Sequence, residues 1–305
     1  MSSASLLTRR DLLKTAALGA VALPAFGSLA LAADAAKKTA APAPQAEPLF
    51  KPSADGREHG LRLGITSYST RTMTLDASIE VVKVLRITNM ALFKAHCNWE
   101  EASLETARGI GQKLRDAGLR LTGSGVVNLP NDEAKARKAF ENVKAAGMAT
   151  MVCKPVPAAL PLVEKLAKEY DQRLAIHNHG PEDKEYSTPA IIFDAIKSLD
   201  ARVGLCIDVG HTARGGEDPV AAIRKYASRV HDIHMKDSVA VLGATRDIPV
   251  EVGTGRLDIR GILRALLDIR YDGVVTFEYE KTAANPVTGL AESVGYVRGL
   301  LRGLA

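Results

Sequence analysis

VGLCIDVGHTARGGEDPVAAIRKYASRVHDIHMKD, residues 203–237, is the stretch whose reading decides the fold. It opens and closes on β-type runs, VGLCIDVG and VHDIHMKD, with a helical segment between them. Two such runs joined through a helix are the repeating unit of a parallel sheet. Asp208 closes the first run, His211 follows three residues on, and His234 stands near the end of the second. A carboxylate and an imidazole at the carboxyl ends of successive parallel strands lie where an open-ended barrel gathers its functional groups.

Outward from there the alternation continues in both directions. Runs at 61–69, 87–95, 119–127, 148–155 and 173–180 precede the stretch, and VVTFEYE at 274–280 follows it. Between them lie segments with helical spacing, several opening on Thr or Asp and several closing on Gly, as helix caps require. Pro161, Pro189 and Pro219 fall in first helical turns, where the missing N–H costs nothing. Eight strands each followed by a helix, in about 250 residues, predict a single-domain α/β (β/α)8 TIM barrel. A doubly wound open sheet would want a glycine-rich phosphate loop after its first strand, and ITSYSTR supplies none.

The first 59 residues are expected to stand apart from the barrel. Thr8-Arg9-Arg10-Asp11-Leu12-Leu13-Lys14 is a twin-arginine pattern, followed by an apolar run to Leu31 and the small-residue site Ala30-Leu31-Ala32. Gly19, Pro24 and Gly27 interrupt that run, which favours a cleaved signal over a stable membrane span. Residues 1–32 therefore read as a twin-arginine signal peptide, 33–59 as an Ala/Pro-rich linker and 60–305 as the barrel. The expected partner is the twin-arginine export machinery and the expected address is the periplasm. The formal charge of +5 owes much to Arg9, Arg10, Lys14, Lys37 and Lys38, and no basic block interleaved with aromatics follows, so no nucleic-acid partner is expected. Cys97, Cys153 and Cys206 fit no disulfide framework or C-x-x-C pair and are expected to be buried thiols. The last helical segment, GLAESVGYVRGLL, reads as the final barrel helix, and the oligomeric state is left open.

At the functional rim the strand ends supply Lys154, then His177-Asn178-His179, then Asp208 with His211, His234 with Lys236, and Glu278 with Glu280. Side chains at i and i+2 share a face of a strand, so each of the last three strands that carry such a pair aims both members the same way. Asp, His and Glu around one centre form a mixed oxygen/nitrogen site for one divalent ion, Mn, Zn, Co or Mg.

The region 61–301 resembles the xylose isomerase-like TIM-barrel superfamily, the sugar phosphate isomerase/epimerase group. The D-x-G-H of Asp208 to His211, the H-x-K-D of His234 to Asp237 and the terminal FEYE carry the resemblance. It implies a divalent metal held by His177, Asp208, His234 and Glu278, and proton removal next to the carbonyl of a small sugar or keto-sugar. His179, His211, Lys236 and Glu280 are then the candidate acids and bases, and Lys154, Asn178 and His211 the candidate substrate contacts. The group usually presents a glutamate where His177 stands, as ligand and base of a two-glutamate epimerisation, and its second-strand glutamate falls near Ala91. The family name favours an isomerase or epimerase. The His177 replacement and the periplasmic address raise a keto-sugar lyase or hydratase with a His base as the rival. A non-catalytic sugar-binding module is the third reading, and a metal-dependent endonuclease, which the superfamily also contains, fits least.

Overall fold

The structure is a computed structural model that describes residues 56–240 and 246–305. The expected signal peptide and nearly all of the expected linker lie outside the described residues.

Eight parallel strands close on themselves. They are β1 (Leu61–Thr66), β2 (Asn89–Leu92), β3 (Arg120–Ser124), β4 (Thr150–Pro155), β5 (Arg173–His177), β6 (Val203–Asp208), β7 (Val230–Met235) and β8 (Val274–Phe277). Each pairs with its neighbour in sequence, and β1 pairs with both β2 and β8, which shuts the barrel. The outer ring is α1 (Leu75–Val84), α2 (Leu104–Asp116), α3 (Glu133–Ala146), α4 (Leu160–Glu169), α5 (Pro189–Ile196), α6 (Val209–Arg214), α7 (Pro219–Lys225), α8 (Ile259–Asp268) and α9 (Val287–Leu304). The eight-unit reading of the sequence therefore stands, with one short helix added after β6.

Local chemistry starts and stops these elements where expected. Thr74, Ser103 and Asp132 cap α1, α2 and α3 by accepting from the backbone three residues on. Gly147, in the left-handed region at φ 77°, ends α3. Most of the apolar core lies between strands and helices, while Val152, Ala175 and Cys206 form a separate cluster with Val126. All three cysteines are buried free thiols.

Strand ends come earlier than the sequence suggested. The run at 203–210 leaves the sheet at Asp208, and Val209 to Arg214 turn into α6; the runs at 61–69, 87–95, 173–180 and 274–280 are likewise cut short. Residues at the rim have β-like composition but no neighbour to pair with, so they become the loops that line the mouth. The barrel also begins before residue 60. Arg57–Glu58 pairs antiparallel with β1, and Glu58 meets Arg298 of α9, with Arg298 Nε to Glu58 Oε2 at 2.5 Å and Nη2 to Oε1 at 2.7 Å.

Gly111 sets the approach of α2 to α3. A Cβ there would lie 2.1 Å from the carbonyl oxygen of Ala146, a backbone atom that cannot swing aside. Gly111→Ala is expected to push the helices apart and cost about 1–3 kcal/mol. Thermal melting beside the wild type reads this, and an unchanged midpoint would mean the pair has slack.

Candidate active site

The four residues expected at the metal converge. One ligand atom each from His177, Asp208, His234 and Glu278 lies within 4.8 Å of every other. His177 Nε2 is 3.0 Å from His234 Nδ1 and 3.6 Å from Asp208 Oδ2, and His234 Nδ1 is 3.2 Å from Glu278 Oε2. Strand alternation explains this, because the ends of β5 to β8 each aim one polar side chain inward. Two imidazoles and two carboxylates are a suitable donor set for a divalent transition ion. Two buried atoms also lack a directed hydrogen bond, His234 Nε2 and Asp208 Oδ2. The second is 2.9 Å from Lys236 Nζ, an ion-pair distance without hydrogen-bond alignment. A deeper trio of His177, Cys206 and His234 shares two of the four ligands.

Electrostatics put His177, Asp208 and Glu278 in the forms an ion needs. At His234, by contrast, burial is outweighed by Cys206 and Glu278, which raise it well above the ordinary imidazole range, so an ion there would have to displace a proton. Burial pushes His177 down to about 4, so its ring is neutral at pH 7. For Asp208 and Glu278 burial favours the neutral acid, but the Lys236 ammonium outweighs it and holds both well below the ordinary carboxylate range.

Lys236 is the largest surprise of the site. It was expected at the rim as a candidate acid or base. Instead Lys236 is 2% exposed, with Nζ 2.9 Å from Asp208 Oδ2, 2.9 Å from Glu278 Oε2 and 2.5 Å from Glu280 Oε1. Asp237 faces the other way and accepts from the backbone N–H groups of Gly253, Gly255 and Leu257, which folds the following loop. Residues 236 and 237 point to opposite faces, as alternation along a strand requires.

Above the four residues opens a cavity of about 520 Å³. His179, His211, Lys154 and Glu280 line it, together with Tyr68 and Phe93 from the loops after β1 and β2. Burial pushes His179 to about 3 and His211 to about 4, so both rings are neutral, with centroids 6.0 Å apart. His179 Nδ1 lies 3.4 Å from Asp183 Oδ2, and Lys154 Nζ lies 2.7 Å from the same oxygen. Glu280 is raised by burial, with Lys236 pulling the other way.

Asn178 is corrected. Expected as a substrate contact, it is fully buried and does not line the cavity. Its Oδ1 accepts from the backbone N of Asp208 at 3.0 Å, and its Nδ2 donates to Thr212 Oγ1 at 3.1 Å. Asn178 thus fixes the turn that presents Asp208. His211 sits in the first turn of α6, its N–H donating to Asp208 Oδ1 at 2.8 Å, so one carboxylate serves as helix cap and candidate ligand.

Sequence reasoning missed Asp183, Arg214, Tyr68 and Phe93. His179-x-x-x-Asp183 and His211-x-x-Arg214 were visible as spacings, but only the folded loops bring those partners into contact. Tyr68 and Phe93, edge-to-face at 4.8 Å, gave no signal beyond ordinary apolar strand residues.

Residues 158–300 match the sequence profile of the xylose isomerase-like TIM barrel family. An inosose dehydratase of Clostridium tetani is 27% identical over 150 residues, covering 44% of this chain and 50% of that one. The rhizopine catabolism protein MocC of Rhizobium meliloti is 34% identical over 143 residues, 42% and 43% of the two chains. The chain thus spans about half the length of the curated relatives it matches. Among solved structures, the 3-keto-D-glucoside 4-epimerase of E. coli superposes with a TM-score of 0.65 at 14% identity, over 78% of this chain and 99% of that one. The IOLI protein, solved with a zinc atom, gives 0.65 at 14% identity over 80% and 99%. The sequence likeness to the xylose isomerase-like TIM barrel family thus covers residues 158–300, and the likeness to the solved structures is one of fold.

Proposed function

We propose that this chain, a TIM barrel with xylose isomerase-like features, is a metal-dependent lyase that removes water from a keto-sugar or keto-cyclitol. One observation carries the reading: a histidine, His177, stands among the four convergent residues where the group usually presents the glutamate of a two-base epimerisation, with His179 beside it lining the cavity. Epimerisation by two bases needs groups on opposed faces of one carbon, whereas a syn elimination needs only one base, which takes the proton and returns it to a hydroxyl leaving from the same face. The Glu280 carboxylate, the remaining candidate, is held by Lys236 at 2.5 Å.

In this reading His179 takes the proton from the carbon next to the carbonyl. The bond from the adjacent carbon to its hydroxyl then breaks with its electron pair. His179 returns the same proton to the departing oxygen, so one water leaves and the base is restored. His211 holds a substrate oxygen during the step, and Lys154, steadied by Asp183, reaches a hydroxyl at the rim. His177, Asp208, His234 and Glu278 would hold one divalent ion. When bound, that ion would polarise the carbonyl and stabilise negative charge on its oxygen. The two-imidazole set favours Zn, Co or Mn over Mg. With the twin-arginine pattern at Arg9-Arg10 taken as an export signal, the substrate is an unphosphorylated sugar of the periplasm.

Incubation with keto-sugars and keto-cyclitols in deuterated water tests the proposal by mass spectrometry. The expected product is lighter by one water, and His179→Ala is expected to lose about 100-fold or more in kcat. A product of unchanged substrate mass carrying one deuterium on carbon would favour the epimerase instead.

A further inference from the structure

The orientation of His211 is fixed by a residue outside the cavity. Arg214 lies one helical turn on in α6, is 2% exposed, and places Nη1 2.9 Å from His211 Nδ1. A guanidinium has only N–H donors and stays charged at any working pH, so it can only donate in this contact. The nitrogen that receives the bond must carry a lone pair. His211 therefore has no proton on Nδ1, and its single ring proton is on Nε2, across the ring from Arg214.

The surroundings hold the pair in this relation. Arg214 also engages Glu182 through Nη2, and Asp247 Oδ2 lies 3.9 Å from Nη1. Gly180, at φ 81°, lets the loop after β5 pass directly over the contact. A Cβ there would stand 3.2 Å from Glu182 Oε2, 3.3 Å from His211 Nδ1 and 3.4 Å from Arg214 Nη1. The backbone of His211 is pinned by Asp208 Oδ1 on its N–H and by Gly215 N–H on its carbonyl, both at 2.8 Å.

We infer that Arg214 is a positioning residue that locks His211 as a neutral Nε2–H tautomer, a hydrogen-bond donor to substrate oxygen and not a base. The consequence for catalysis rests on the proposed elimination; the tautomer itself does not. It divides the labour between two neutral imidazoles 6.0 Å apart, His179 accepting a proton and His211 donating to an oxygen. A ring that entered the cavity with a lone pair would repel developing negative charge on that oxygen, whereas an N–H attracts it. The arrangement also favours substrates with an oxygen acceptor at that position over deoxy analogues, which would leave the donor unmatched.

The test reads the ring directly. The full chain, carrying 15N-labelled histidine and loaded with zinc, is examined without substrate by long-range 1H–15N correlation NMR, with His211 assigned by its loss in His211→Gln. The expected signature is an unprotonated Nδ1 and a protonated Nε2. Arg214→Met is expected to give a mixture of tautomers and Arg214→Lys, which keeps a donor, to restore the single one. A wild-type ring protonated at Nδ1, or at both nitrogens, would overturn the inference, as would an unchanged tautomer in Arg214→Met. Turnover is measured separately. Arg214→Met is expected to lower kcat about tenfold or more with little change in KM, with recovery in Arg214→Lys. The predicted NMR pattern with undiminished kcat would leave the tautomer standing and remove His211 from the elimination.

Discussion

Asp208→Ala is expected to abolish metal retention and turnover together. The carboxylate has three roles at once: it lies among the candidate ligands, it caps α6 through the N–H of His211, and it partners the buried Lys236 ammonium. Loss of one anionic ligand from a four-residue set should weaken metal binding by at least about 100-fold. Without the charge stabilisation an ion supplies, the rate falls about a thousandfold or more. Uncapping α6 costs about 1 kcal/mol in addition. Asp208→Asn separates the roles, since an amide keeps the size and a capping oxygen while removing the charge. Elemental analysis, a melting curve and turnover on both variants read all three. Full activity with bound metal in either one would remove Asp208 from the site.

The largest effect on stability is expected at Arg298. Its guanidinium is buried, bonded to both oxygens of the buried Glu58 carboxylate and to the carbonyls of Leu85 and Arg86 at 2.7 and 3.0 Å. These bonds tie the first described strand, the loop after α1 and the last helix into one knot. Arg298→Met would leave Glu58 charged, buried and without its partner, at a cost of about 3–5 kcal/mol. For a domain of this size that lowers the melting midpoint by roughly 10 °C. The double variant Arg298→Met, Glu58→Gln should recover part of the loss, because the stranded charge is gone. A single variant that melts with the wild type would show that water reaches Glu58 and solvates it.

The fold was legible because its signal is repeated. Each strand–helix unit carries its own apolar spacing and caps, so eight weak readings reinforce one another. The candidate ligands were legible for a related reason: a barrel gathers the carboxyl ends of its strands, and Asp208, His234 and Glu278 are polar residues at the ends of apolar runs. What escaped depends on contacts between distant residues. Arg57–Glu58 is too short for any periodicity, and its meaning lies in Arg298, 240 residues away. Asn178 was read as a substrate contact because it stands between two rim histidines, yet alternation turns it away from them and toward the backbone of β6. Lys236 was legible as a rim cation on the face of His234, but not as the partner of three carboxylates, because Asp208, Glu278 and Glu280 come from other strand ends.

The ammonium of Lys236 amid three carboxylates has a consequence for assembly. Metal centres built only from anionic ligands repel themselves when empty, and many such proteins cannot fold until the ion arrives. Here a permanent counter-ion, part of the polypeptide, quenches that repulsion in advance. A chain that takes up an ion at this site can then mature in two separate stages, reaching its final shape first and recruiting the ion later. A chelator should strip the ion and silence the protein while leaving its circular dichroism unchanged, and adding the ion back should restart it without any refolding.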